Sequence, residues 1–188
     1  MRLFVALEIA ESTREALAGW QKLLVRAGGG DLRAASPETL HVTLAFLGHR
    51  YERETAKIGA CVESVAARPV PLAFAPEIAP RPMRRPQLYA AAVLPTDQLM
   101  GLRAEVAAVL TERAGFTDDR REYWPHVTLC RVKSSVRRHP ALHDPPRAPA
   151  PLLRPAAAAA MTLFKSELLP QGSTHTPLMS VALPALDV

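Results

Sequence analysis

The tetrapeptide His-Val-Thr-Leu stands at His41–Leu44 and again at His126–Leu129 of this 188-residue chain. Each copy lies in a short apolar run typical of a strand and follows a stretch with helical periodicity. Because side chains alternate along a strand, the histidine and threonine of one copy share a face, while the valine and leucine point to the other face. A repeat of this kind indicates an internal duplication that gives each half of the chain one polar His/Thr face.

Two such strands from related halves are expected to face each other and to place two imidazoles on opposite sides of one phosphate. Histidine titrates near neutral pH, so one ring can take a proton from water while the other protonates a departing ribose oxygen. Hydroxyl groups can donate hydrogen bonds to the non-bridging phosphate oxygens. The pattern therefore predicts His41 and His126 as an acid/base pair, with Thr43 and Thr128 binding the phosphate.

A structural and a metal-binding interpretation compete with this one. A single His-x-Thr on a strand is most often a hydrogen-bonded structural pair, and the duplication is what favours a functional site. Histidine is also a common metal ligand, but no His-x-His, His-Glu-x-x-His or clustered carboxylates accompany the two copies. We therefore expect no metal and no cofactor.

The rest of the chain predicts two successive runs of strands and helices. Expected strands are Leu3–Glu8, Leu40–Leu47, Val70–Ala75, Leu88–Leu94, Val127–Val132, Met161–Leu169 and Leu178–Leu183. Expected helices are 12–27, with a capping box at Ser12 and Glu15 and a buried stripe of Leu17, Trp20, Leu23 and Leu24; 53–67; and a third from a Thr96 cap to Gly115. The proline-rich segments Pro76–Pro86 and His139–Pro155 are expected to be a loop and a surface excursion.

Composition places the chain among soluble globular proteins. Hydrophobic residues make up 48% and charged residues 22%, and no apolar window is long enough to cross a membrane. The N-terminal stretch lacks the pattern of a secretion signal, so we expect a cytoplasmic protein. The net charge of +5 favours a polyanionic partner, although a high-GC coding background gives the same arginine-rich composition.

With their flanks, the two copies resemble the signature motifs of the 2H phosphoesterase superfamily, particularly the RNA 2′,3′-cyclic phosphodiesterases, also called 2′-5′ RNA ligases. The motif segments are 40–48, Leu-His-Val-Thr-Leu-Ala-Phe-Leu-Gly, and 124–131, Trp-Pro-His-Val-Thr-Leu-Cys-Arg. The opening 1–7, the segment 84–89 and the tail segment 164–168 are similar to the family as well. The resemblance covers nearly the whole chain.

The resemblance implies an α+β fold that is bilobal and pseudo-twofold, with two antiparallel sheets flanking a central cleft and helices on the outside. Residues 1–188 are then one domain, with lobes at about 1–80 and 81–188 and a tail able to cross between them. A monomer is expected, without membrane association.

The resemblance also implies roles for the site residues. His126 would activate water and His41 would protonate the leaving 3′ oxygen, which gives a 2′-phosphate end. Thr43, Thr128 and Arg131 would hold the phosphate, and Phe46 either stacks on a nucleobase or packs in the core. The substrate would be RNA ending in a 2′,3′-cyclic phosphate, tRNA fragments included, with 2′-5′ ligation as a reverse activity.

Two departures and several alternatives remain open at this stage. The chain has His175 where the family often has a tyrosine. Arg81, Arg84 and Arg85 form either a phosphate-binding patch or a solvated loop. The same acid/base pair would also suit small cyclic nucleotides or 2′-5′ oligoadenylates, and a cleft without turnover would make a non-catalytic RNA- or nucleotide-binding module.

Overall fold

The first strand of the chain lies in the middle of a five-stranded antiparallel sheet. Strand β1 (Arg2–Ile9) pairs with β3 (His41–His49) on one side and with β8 (Ala156–Leu169) on the other. The short β4 (Pro71–Leu72) pairs with the beginning of β8, and β9 (Gly172–Ala182) pairs with the rest of it. The computed structural model describes residues 1–118, 122–137, 142, 144–169 and 172–186.

A second antiparallel sheet has four strands in the order β2, β7, β6, β5. These strands are β2 (Leu32–Ala34), β5 (Phe74–Arg81), β6 (Leu88–Val93) and β7 (His126–Val132). The two copies of the tetrapeptide thus begin β3 of the first sheet and β7 of the second, and these two strands lie against each other.

The helices cover the faces of the sheets opposite the two histidines. Helix α1 (Glu11–Ala27) packs against β2 and β7, whereas α2 (Thr55–Glu63) and α3 (Asp97–Ala114) pack together against the first sheet. Val42 and Val127 join the core on this side, as the alternation predicts. The α+β class with two antiparallel sheets is confirmed.

The sheets draw their strands from both halves of the chain. Between Leu72 and Phe74 the backbone leaves the first sheet and enters the second, and β8 and β9 later complete the first sheet. The two sheets therefore do not coincide with the lobe boundary predicted near residue 80. Pairing between distant segments decides which strands each sheet contains, and local periodicity in the sequence does not indicate that pairing.

The proline-rich segment Pro76–Pro86 differs from its prediction. Strand β5 runs through Pro76 and Pro80 to Arg81, so the first half of the predicted loop is a strand. Two features make the prolines acceptable: β5 is an edge strand, and its pairing with β6 is interrupted between Phe74 and Ile78. An edge strand can spare the backbone donor that proline lacks.

The predicted helix ends are partly confirmed. The Thr96 hydroxyl accepts from the backbone N–H of Leu99 at 3.3 Å and begins α3, and Gly115 ends it in the left-handed conformation with φ of 60°. The capping box predicted at Ser12 is wrong, because α1 begins at Glu11 and has no side-chain cap. Leu23 was also misplaced on the buried stripe, since it is 44% exposed.

Other boundaries shift by several residues. Helix α2 ends at Glu63 rather than 67, and β8 and β9 begin earlier than Met161 and Leu178. His139, at the start of the predicted excursion, lies outside the described residues, but its later part is anchored: the Trp20 indole N–H donates to the Pro146 carbonyl at 2.7 Å. In the part of the chain that the structure describes, no helix has both the length and the apolar character needed to cross a membrane.

Candidate active site

The ring of His41 is fixed at the start of β3 by a backbone carbonyl. A 3₁₀ turn at Pro37–Thr39 precedes the strand, and the Thr39 carbonyl oxygen lies 2.7 Å from His41 Nδ1. Because a carbonyl only accepts, Nδ1 carries the proton and Nε2 of the neutral ring is an acceptor. The Thr43 hydroxyl lies 3.1 Å from that Nε2.

His126 repeats this arrangement at the start of β7. Its Nδ1 lies 2.9 Å from the carbonyl oxygen of Trp124, again the residue two positions upstream. The same tautomer follows, with a free lone pair on Nε2 in the neutral ring. The two copies therefore share a hydrogen bond that orients the imidazole, in addition to a sequence.

A matching irregularity in strand pairing adds one more side chain to each polar face. In the first copy, Ala6 of β1 pairs with Thr43 and the residue before it, Val5, pairs with Ala45, so Leu44 has no partner in β1. In the second copy the pairing with β6 skips Leu129 in the same way. Each bulge shifts the alternation by one residue, which brings Phe46 and Arg131 onto the faces of His41 and His126. Strict alternation would have put Ala45 and Cys130 there instead.

The first sheet contributes an aromatic wall around His41. Phe4 on β1 lies 4.9 Å from the His41 ring, 5.3 Å from Phe164 and 5.8 Å from Phe46, centroid to centroid. His175 meets the His41 ring edge-on at 5.0 Å. Phe46 is 53% exposed, so the interpretation as a core aromatic is wrong and an apolar ring faces solvent beside the histidine.

The second sheet contributes a basic wall around His126. The Trp124 ring stacks on the His126 ring at 4.2 Å and 15°, and the Arg81 guanidinium lies 4.2 Å from the centroid of Trp124. Arg131 is exposed on the same strand, and Arg33 on β2 is its cross-strand neighbour. The two walls therefore differ in chemistry: one is aromatic and one cationic.

The charge of His126 contributes to the electrostatic environment of His41. Burial lowers the pKa of His41 to about 4; the hydrogen bond to Thr39 opposes the shift, and the charges of protonated His175 and His126 add to it. A hydrogen bond also ties the walls together, since the Tyr123 hydroxyl donates to the Thr43 carbonyl at 2.9 Å. The strands that carry the two imidazoles are therefore linked by a hydrogen bond, and the charge of one ring lowers the pKa of the other.

The pKa of His126 is lowered as well, first by burial and then by the charges of Arg131 and Arg81, against the hydrogen bond to Trp124. Both rings are neutral near pH 7, and each has an Nε2 able to take a proton. An anion bound between them would favour the imidazolium form of one ring. Such a pair can move two protons around a bound phosphate.

The structure places His41 and Thr43 on one polar face and His126 on the other, as strand alternation predicts, and the two bulges add Phe46 and Arg131, which only the family resemblance had assigned to the site. Thr128 is half-buried on β7 opposite Ala90. Three further side chains reach the cleft through strand pairing and had no role in the sequence prediction: Phe4, Arg33 and Phe164. Trp124 belongs to the second motif segment, but the motif does not indicate that its ring stacks on His126. Among the described residues, no group of three or more His, Cys, Asp or Glu side chains could hold a metal ion.

Comparison with known proteins identifies the family. Residues 7–75 match the model of the LigT-like phosphoesterases. The chain is 33% identical to an RNA 2′,3′-cyclic phosphodiesterase of Archaeoglobus fulgidus over 145 residues. This alignment covers 77% of this chain and 78% of the relative. A protein of the same name from Aeropyrum pernix is 32% identical over 115 residues, or 61% of this chain and 64% of the relative.

Solved structures share the fold over almost the full length. A Thermus thermophilus protein superposes with a TM-score of 0.77 at 24% identity, over 97% of this chain and 98% of the other. Escherichia coli LigT in complex with 3′-AMP gives 0.74 at 22% identity, over 97% of both chains. The chain belongs to the LigT-like phosphoesterases of the 2H phosphoesterase superfamily.

Proposed function

We propose that this protein hydrolyses the 2′,3′-cyclic phosphate at the end of an RNA strand to a 2′-phosphate, without a metal ion. The observation that carries the proposal is the duplicated histidine. His41 and His126 each have Nδ1–H bound to the carbonyl two residues upstream, and each keeps Nε2 for proton transfer. Relatives named RNA 2′,3′-cyclic phosphodiesterase support the substrate class.

The two rings divide the proton transfers. His126 Nε2 takes a proton from water as the water oxygen attacks phosphorus, and the bond from phosphorus to O3′ breaks. His41, protonated at Nε2, gives its proton to the departing O3′, so the phosphate stays on O2′. Each transfer is worth on the order of a hundredfold to ten-thousandfold in rate.

The low pKa of His41 fits the acid role only with substrate present. In the free cleft the ring is neutral at pH 7, because its pKa is about 4. A phosphodiester beside Nε2 brings a negative charge, which favours the protonated ring and raises its pKa. His41 thus acquires its proton together with the substrate.

The remaining residues hold the substrate in this geometry. Hydroxyl groups of Thr43 and Thr128 donate to the non-bridging oxygens, and the guanidinium of Arg131 offers planar donors to the same anion. Phe46 presents an exposed ring on which the terminal base can stack. We propose that a single copy of the chain is the active unit, because it contains every group named here.

The same groups can also support ligation, in which a hydroxyl group replaces water as the nucleophile and the bond from phosphorus to O3′ again breaks. If the 5′-hydroxyl of a second RNA strand replaces water, His126 takes its proton and the product is a 2′-5′ phosphodiester. Ligation therefore needs no further catalytic group. It needs a second strand that competes with water for the cleft.

The test is product identification with chelator present. The purified protein is incubated with EDTA and an oligoribonucleotide that ends in a 2′,3′-cyclic phosphate, and the new end is assigned by ³¹P NMR. A 2′-phosphate end is expected, and strict dependence on added divalent metal or a 3′-phosphate end contradicts the proposal.

A further inference from the structure

Three arginines lie in one row across the second sheet. Arg33 on β2 pairs with Arg131 on β7, Arg131 pairs with Leu88 on β6, and Leu88 pairs with Arg81 on β5. Cross-strand partners share a face of the sheet, so the three guanidinium groups stand on the face that carries His126. Leu88 is the one uncharged member of this row.

The row has no acidic partners within the described residues. The arginines that form ion pairs in this part of the chain all lie outside the row. They are Arg14, Arg50, Arg68, Arg103 and Arg147. Like charges at directly opposed positions destabilise a sheet, and here the Arg33 charge acts on Arg131. We therefore expect these arginines, which lie beside the proposed phosphate site, to bind anionic groups of a ligand.

The row is too long for a single phosphate. Neighbouring strands lie about 4.8 Å apart, so the backbones at Arg33 and Arg81 are separated by three intervals, or about 14 Å. Arg131 alone can serve the scissile phosphate, and the outer two arginines lie beyond it. The guanidinium carbon of Arg81 lies 4.2 Å from the centroid of Trp124, a contact that does not require its N–H donors, and we expect these donors to be available to an anion.

We propose that Arg33 and Arg81 bind backbone phosphates of the RNA strand beyond its terminal cyclic phosphate, so that the site selects oligonucleotides over cyclic mononucleotides. The inference rests on the proposed function and names the substrate class of the same cleft. Neither arginine takes part in proton transfer. Both are binding residues, and they increase affinity only for substrates with a backbone phosphate beyond the terminal cyclic phosphate.

The experiment compares two substrates. Wild type and Arg33→Gln/Arg81→Gln are assayed on adenosine 2′,3′-cyclic phosphate and on an oligoribonucleotide with the same cyclic end. Each lost charge-assisted contact is worth about tenfold, so kcat/KM on the oligonucleotide should fall about a hundredfold, mainly through KM. On the mononucleotide the change should stay within about twofold when both proteins are assayed above the pKa of His126, because the Arg81 charge lowers that pKa and its loss has no effect on a ring that is already neutral.

Salt dependence provides a second readout that a structural role would not move. Each single-strand phosphate contact contributes about 0.7 to the slope of log affinity against log salt, so the double variant should be flatter by about 1.4. Arg33→Lys/Arg81→Lys keeps the charge and should keep most of the slope. The control is Arg26→Gln/Arg113→Gln, which removes two exposed charges from the last turns of α1 and α3.

The outcomes separate the two proposals. Wild type that turns over neither substrate refutes the proposed function. Wild type that turns over both, with the double variant affecting both equally or neither, refutes the phosphate-binding row. A loss confined to the oligonucleotide and absent from the control supports it.

Discussion

Lowering the pH from 7 to 5 should destabilise the folded protein through His41. Its pKa is about 4 in the folded state and 6.5 as the ordinary value, so the unfolded chain binds the proton more tightly. The stability associated with this difference is complete above pH 6.5 and is lost as the pH falls towards 4. With about 1.4 kcal/mol for each unit of pKa difference, the loss is about 2 kcal/mol at pH 5 and about 3 kcal/mol at pH 4.

Urea unfolding of wild type and His41→Asn at the two pH values measures this contribution. The substitution removes hydrogen bonds to Thr39 and Thr43 at both pH values, so the difference between the two pH values isolates the titration. His126 and His175 also have lowered pKa values, but both are present in the two proteins. The free energy of unfolding of wild type should fall by about 2 kcal/mol more than that of the variant. If the free energy of unfolding falls equally in the two proteins, the pKa of His41 is not lowered by folding.

Three further changes test separate parts of the structure. His175→Gln should raise the pKa of His41, because a nearby positive charge is removed; an NMR titration that shows the same or a lower pKa contradicts this. Phe46→Ala should raise KM for the RNA end about tenfold by loss of base stacking, and a loss in kcat alone would argue against that role. Thr96→Ala removes the cap of α3 and should cost about 1 kcal/mol in urea unfolding without changing kcat/KM; an unchanged midpoint would contradict the cap.

The sequence predicted the histidines because the repeat is local and strand alternation is regular over three residues. His-x-Thr places both side chains on one face wherever the strand lies, and the structure has this arrangement in both copies. Alternation alone fails two residues further on, since the bulges at Leu44 and Leu129 depend on partner strands. The positions of Phe46 and Arg131 were therefore available only from the family resemblance.

Residues from distant segments were beyond local pattern reading. Arg33 joins the cleft because β2 pairs with β7, and Phe164 joins it because β8 pairs with β1. The segment around Arg33 carries no motif, and the family-like tail segment 164–168 does not indicate which strand it pairs with. Both pairings cross between the halves of the chain. Pro76 and Pro80 led to the prediction of a loop where the structure has a strand. Proline disfavours a central strand but is tolerated in the edge strand β5.

If His41 and His126 act on one phosphate as a single unit, a double-mutant cycle will show strong coupling between them. The kcat/KM for hydrolysis of the 2′,3′-cyclic phosphate end is measured for wild type, His41→Ala, His126→Ala and the double variant. Each single variant should lose on the order of a hundredfold to ten-thousandfold. Because the two proton transfers belong to one reaction, the double variant should be little worse than the poorer single variant. Losses that multiply in the double variant, or a single variant with undiminished turnover, would show that the two histidines do not act as a pair.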